Sequence, residues 1–496
     1  MKKYIYSLLV VGGLLFASCQ KDFLETTPTD EVSASSAVAT TGNALSLLNG
    51  LHRSLYYRKD YGAQGRSGQG AIYIYMDCMG EDHVVHREQW FNAVYKWNSG
   101  RSTTDNYNRY QWQYYYELIA NANIIINGID EAEGLQEDKD AIKAQALAYR
   151  AWCHYQLVQM YGKRYVKGGG NSQLGVPVKL NTTDLNLARN TVEEVYTQIN
   201  ADLDAAQAGL ASYSRPNKSH FSANVIIGLK ARVALTQGRW SEAATLAAQA
   251  RTGFSLMSQT TYANGFRLDS EGNSEFMWAS QIIADQTDKW GNFGAYMSRN
   301  FSSSAIRGNP RSISSLLYDK ISATDVRKSL FDPTGQHLNL PAGVSLLSSH
   351  ARKPYTSQKF IAVDNGDSRV DVPHMRAAEM YLIEAEARAR NSEDGLAAAA
   401  LFTLVSSRDN AYTLSTKTGA DLINEIMVQR RIELWGEGFR FLDLKRLALP
   451  LDRTGANHSA ALADNNMQIP ASDLRWEWLI PQLEMDANPN MVQNPL

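Results

Sequence analysis

The 496-residue chain is 44% hydrophobic and 20% charged, the balance of a folded protein with ample apolar side chains for a large core. Its 49 lysines and arginines stand against 51 aspartates and glutamates for a net charge of -2, so the basic surface that nucleic acid requires is excluded. Three cysteines, Cys19, Cys78 and Cys153, demand no disulfide framework, whereas 25 Tyr and 10 Trp, many set among Gly, Ser and Asn, make an unusual aromatic complement.

The chain opens with Met1-Lys2-Lys3 and an apolar run from Ile5 to Phe16, a positive start and hydrophobic centre followed by the small residues Ala17 and Ser18. A membrane-spanning helix needs about twenty apolar residues, and Gln20-Lys21-Asp22 ends this run well short of that, so it reads as a removed export signal. Leu15-Phe16-Ala17-Ser18-Cys19 resembles a bacterial lipobox, with Phe16 where Leu is preferred. That resemblance implies that residues 1-18 are cut away and that Cys19 carries the lipid, several acyl chains being needed for stable anchoring. Residues 19-41, rich in Ser, Thr and Ala from Thr26, read as a lipidated start and spacer before a body over 42-496.

Within the body, apolar residues recur at three and four over Tyr114 to Asn127, Lys139 to Tyr161, Val192 to Ala208, Asn224 to Leu235 and Glu242 to Ala250, which predicts amphipathic helices. Thr191 with Glu194 fits a capping box. Short turns and small residues such as Ala243, Ala247 and Ala250 suit antiparallel pairs, a pattern resembling tetratricopeptide repeats that stack into a curved scaffold. Segments 57-109 and 254-372 lack this rhythm; they read as long irregular loops with strand-like pieces at Glu275 to Ile283 and Gln358 to Val363. Helix is expected to return at Pro373 as a first-turn residue. The fold expected is mainly α, a helical frame whose two irregular segments carry the ligand surface.

Arg430-Arg431-Ile432-Glu433-Leu434-Trp435-Gly436-Glu437-Gly438-Phe439-Arg440-Phe441-Leu442-Asp443-Leu444-Lys445-Arg446 resembles the C-terminal signature of the SusD/RagB family. So do Ile480-Pro481-Gln482-Leu483-Glu484, Asn488-Pro489-Asn490 and Gln493-Asn494-Pro495, with further similar blocks at Leu147 to Trp152, Tyr161-Gly162, Asp22 to Glu25 and Pro28 to Asp30. The resemblance implies a surface-exposed outer-membrane lipoprotein that binds a glycan and delivers it to a SusC-like TonB-dependent transporter. It also leaves open a peptide receptor of the same architecture, or a surface glycoside hydrolase. Tyr95, Trp97 and Asn98 look like the sugar platform of starch-binding members, with Trp290 and Tyr296 expected opposite and Arg66 as a further hydroxyl-binding donor.

No catalytic residue, metal or cofactor is expected. Glu433 and Glu437 stand among arginines that would keep them ionised, which removes the proton a glycosidase acid must deliver. Glu81, Asp82, His83 and His86 offer metal-type ligands but read as packing or surface residues, and Asp364-Asn365-Gly366-Asp367 reads as a tight turn.

Overall fold

The computed structural model of the protein describes residues 34–56, 65–268, 270–286 and 290–496. The signal at 1-18 and Cys19 lie outside the described residues, as does the spacer up to residue 33.

The frame is built from α1 (Thr41–Ser54), α2 (Gly68–Cys78), α3 (Asn106–Gly128), α4 (Gln136–Tyr161), α5 (Val192–Gly209), α6 (Ala223–Gln237), α7 (Trp240–Ala250), α8 (Ala377–Arg390), α9 (Asp394–Arg408), α10 (Gly419–Glu433) and α11 (Arg440–Arg446). All five helices predicted from periodicity are present, each extended by a turn or less except α3, whose start at Asn106 is fixed by Asp105 accepting from the amides of Tyr107 and Asn108. The capping box at α5 is complete, with Thr191 Oγ1 accepting from Glu194 N at 3.2 Å and Glu194 Oε2 accepting from Thr191 N at 2.8 Å.

Helices α3 to α8 each pack on the next, and α9 and α10 close against α8, which is the tetratricopeptide-like succession of pairs. Small residues set the spacing: a Cβ added to Gly209 on α5 would stand 2.7 Å from Cβ of Ala144 on α4. One large hydrophobic core runs through most of the body, and a smaller one fills the space between α8, α9 and α10 with Leu382, Ala385, Leu401, Leu404, Leu422 and Ile426. Among the described residues no helix is long and apolar enough to cross a membrane.

Two sequence expectations are corrected. Pro373 does not open a helix; it lies in the strand Val372–Arg376, paired antiparallel with Phe276–Ser280, and the helix starts at Ala377. Proline is tolerated there because each strand of a two-stranded ribbon has an edge that needs no ladder donor. Segment 57-109 holds helix α2, whose Gly68 and Gly70 hide it from periodicity; Gly70 lies so close to Phe293 that an added Cβ would be 2.8 Å from Cβ of Phe293. From 254 to 372 the chain makes only short helices, short strands and loops.

The chain's end runs back across the frame. Arg189 donates to the Val492 carbonyl at 3.0 Å and to Oδ1 of Asn494 at 2.8 Å, and Asn494 Nδ2 donates to the carbonyls of Tyr161 at 2.8 Å and Trp478 at 2.7 Å.

Candidate functional site

The signature segment is an interior ion network. Glu433, on the last turn of α10, accepts from Arg376 at 3.0 Å, Arg327 at 3.2 Å and Arg408 at 3.2 Å, while Glu437 accepts from Arg376 and Lys359, both at 2.6 Å. Glu275 pairs with Arg376 and Arg408, and Arg327 is also held by Asp325. All of these side chains are buried. Burial alone would raise the carboxyl pKa of Glu433, but Arg408, Arg376 and Arg327 hold it well below the usual value; Arg376 and Lys359 likewise lower that of Glu437. A buried carboxylate held in its ionised form has no proton to give, and its bonds to arginines and Lys359 make Glu433 and Glu437 part of the architecture. Gly438, at φ 82, brings the turn against helix α2: an added Cβ would lie 2.5 Å from Cδ1 of Tyr73, and Asp77 accepts from the Gly438 amide at 3.0 Å.

The metal-type residues are also engaged. Arg440 bonds Glu81, Arg431 bonds Asp82 at 2.5 Å, His83 stacks on Trp435 with centroids 5.5 Å apart, and His86 bonds Ser312 at 2.6 Å. Asp364 Oδ1 accepts from the amides of Gly366 at 2.6 Å and Asp367 at 2.9 Å, a tight turn. Cys78 and Cys153 are buried thiols that are not bonded to each other.

The expected platform divides. Trp97 is 3% exposed: its φ of 62 turns the indole inward, where Nε1 donates to the Met79 carbonyl at 3.1 Å and the ring packs edge-on against Trp476. Tyr95 is buried too, its hydroxyl 2.7 Å from Nδ1 of His458 and its ring beneath Arg453. Tyr296 packs edge-on to Phe91 at 5.0 Å, and Arg66 is buried as well. These four side chains, expected as ligand contacts, are interior residues in this structure; large rings bury well, and the polar tips of Trp97 and Tyr95 find partners inside. Asn98 is exposed, and Trp290 stands 46% exposed on a base formed by Phe301, centroids 5.7 Å apart.

A feature that sequence reasoning missed lies along the same loop. Gln281 and Ile283, a few residues before Trp290, form one wall of an open cleft of about 720 Å³ whose other walls are Ser46, Asn49 and His52 of α1 and the turn carrying Tyr213, Asn217 and His220. The rings of His52 and His220 meet at a tilt of 47° with centroids 4.1 Å apart, and His52 Nδ1 meets the Tyr149 hydroxyl at 2.7 Å. Burial, then the neighbouring His220, pushes His52 well below its ordinary pKa, and burial with Arg215 lowers His220 to about 4. Both rings are therefore neutral near pH 7, each a donor and an acceptor at once. Nothing in local sequence joins α1 to residues 213–220 and 281–283, which meet only through the packing of the frame.

Residues 23–235 match the family model SusD-like_3, described as starch-binding associating with outer membrane, and residues 334–496 match the SusD family model SusD_RagB. The SusD-like protein P25 of Formosa agariphila is 24% identical over 180 residues, 35% of this chain and 32% of that one, so the match spans about a third of that relative's length. The structure of a SusD-like carbohydrate binding protein from Bacteroides vulgatus is 25% identical and superposes with a TM-score of 0.78 over 91% of this chain and 97% of that one. A SusD superfamily protein from Bacteroides thetaiotaomicron, also 25% identical, gives a TM-score of 0.77 over 92% and 100%. With both halves of its helical frame matched and the signature segment inside the second match, the chain belongs to the SusD/RagB family.

Proposed function

We propose that the protein is an outer-membrane lipoprotein, tethered through Cys19, that binds a glycan and hands it to a SusC-like TonB-dependent transporter without cleaving it. The observation that carries this reading is the exposed indole of Trp290 on its aromatic base, borne by the same loop that walls a polar cleft of sugar size. An indole face suits the C–H face of a sugar ring, and neutral histidines with Asn and Gln side chains suit its hydroxyls. The carbohydrate binding named for the Bacteroides vulgatus relative supports the same ligand class.

Titration calorimetry against a panel of plant, microbial and host oligosaccharides tests it. Losing the Trp290 contact in Trp290→Ala costs about 2 kcal/mol, roughly 30-fold in affinity, at unchanged melting temperature. The ligand is recovered intact by chromatography. Undiminished binding by the variant, or turnover of the sugar, refutes the reading.

A further inference from the structure

Most buried arginines of the molecule have a carboxylate partner: Arg150 has Asp202, Arg232 has Glu379, Arg430 has Asp443 and Arg446 has Glu386. Arg453 has none but is surrounded by the carbonyls of Cys78, Gly80, Tyr95 and Asn466. Arg311 has one such bond, Nε to the Tyr296 carbonyl at 3.0 Å, and an unmatched Nη1, and Arg299 is placed alike. Arg299 is 1% exposed, a single Nη2 donates to the Ala351 carbonyl at 2.9 Å, and its Nε and Nη1 meet no protein acceptor.

Around it the charge is mostly positive. Arg352 and Lys353 stand exposed immediately beyond Ala351. Arg307 bonds the same strip through its carbonyl, which accepts from the Ala351 amide at 2.6 Å, and its own Nε is unmatched. Arg87 reaches in from the other irregular segment: a Cβ on Gly308 would stand 2.5 Å from Arg87 Nη1. Among the described residues none of these five cations pairs with a carboxylate; Asp332, the one acid that Arg299 senses, is itself bonded by Thr334 and His337. An independent sign of the field is His86, which burial and then Lys353, Arg311 and Arg299 hold down to about 4.

The patch adjoins the exposed indole. Phe301, the base on which Trp290 sits, is two residues from Arg299, at most about 7 Å along the chain, and its carbonyl meets His350 Nε2 at 3.2 Å. We infer that Arg87, Arg352 and Lys353, backed by the field of Arg307 and of buried Arg299, form an anion-recognition site beside Trp290, so that the ligand is an acidic glycan whose carboxylate or sulfate groups dock on these exposed cations; the inference rests on the glycan-binding reading above. A guanidinium fork presents parallel donors to either anion, and a buried cation with no paired counter-charge behind it adds an attraction that salt screens little.

The test uses the mature protein and four probes of matched length: oligogalacturonate, a sulfated galactan oligosaccharide, a neutral glucan oligosaccharide and polyglutamate. One or both acidic glycans are expected to bind at least tenfold more tightly than the neutral one, with an affinity that falls as salt rises; which of the two binds tells carboxylate from sulfate. Arg352→Ala with Lys353→Ala, at exposed positions, lowers acidic-glycan affinity about tenfold and flattens the salt dependence without moving the melting temperature. Arg299→Met weakens the acidic preference by removing that field while raising the melting temperature, because an uncompensated buried charge is replaced by an apolar chain. Equal binding of neutral and acidic glycans, or an unchanged double variant, overturns the anion site and leaves glycan binding standing. Binding of polyglutamate alone, or of none of the four together with none of the wider panel, overturns the glycan reading itself.

Discussion

Glu433→Gln tests whether the signature segment is architecture. In the native chain Oε1 accepts from Arg376 at 3.0 Å and Arg408 at 3.2 Å, and Oε2 from Arg327 at 3.2 Å and Arg408 at 3.3 Å. Glutamine keeps the shape but turns one of those oxygens into an amide nitrogen, so a donor faces a guanidinium and the compensating charge is gone. Breaking a buried pair costs about 3–5 kcal/mol. Because Glu275, Glu437 and Asp325 still hold the three arginines, the loss falls at the lower end, about 3 kcal/mol. For a chain of this length that lowers the melting temperature by about 3 °C. The effect has a pH signature: the folded-state pKa is depressed, so the contribution is full above the ordinary glutamate value and disappears as pH falls through the folded one. Parent and variant should therefore differ by a constant amount in calorimetric scans between pH 5.5 and 8 and converge in stronger acid. A variant that melts with the parent across the whole range refutes the argument, and one that binds ligand normally but no longer hydrolyses a glycan would make Glu433 catalytic instead.

Trp97→Ala removes a core indole and should destabilise the fold by about 3–5 kcal/mol, visible as a lower denaturation midpoint, while any affinity lost follows from unfolding. Acid should destabilise the protein early: His154 and His374, lowered to about 3, and His86, His220, His337 and His458, lowered to about 4, all chiefly by burial, are neutral in the fold. The unfolded chain takes up their protons first, so stability is intact above about pH 6.5 and falls progressively toward pH 4, as a melting series in that window would report. Cys19→Ala should leave the protein unprocessed or soluble, and retention of the variant in the detergent phase after extraction would remove the lipid anchor from the proposal.

The frame was legible because helix pairs write a period of three and four into the sequence, and capping residues such as Thr191 and Glu194 mark where it begins. Helix α2 was hidden because its glycines serve close contacts with Phe293 and with the turn after α1, so neither its composition nor its rhythm is that of a surface helix. Pro373 misled for a related reason: a proline before an alanine-rich helix has two physical uses, first-turn residue or edge-strand residue, and only the partner strand at Phe276–Ser280 decides between them. Trp290 is exposed, as its neighbours Gly291 and Asn292 in an irregular loop would suggest. Asn98 misdirected the reading of Trp97, because an amide beside an indole signals a surface turn while a positive φ at Trp97 itself sends the ring the other way. The cleft and the unpaired Arg299 were not legible at all, because each depends on what a side chain fails to meet in three dimensions.

The returning tail has a consequence for biogenesis. On the export route proposed above the amino terminus arrives first, and α3 to α7 pack through contacts between successive helices, which lets the frame assemble before the rest of the chain. Until residues 478–494 follow, however, the guanidinium of Arg189 lacks two of its acceptors and the Tyr161 carbonyl lacks a donor. Residues 478–494 thus latch the interior: a copy clipped before Asn488 leaves polar groups of the helical frame unmatched and should be cut faster by added protease than the intact protein.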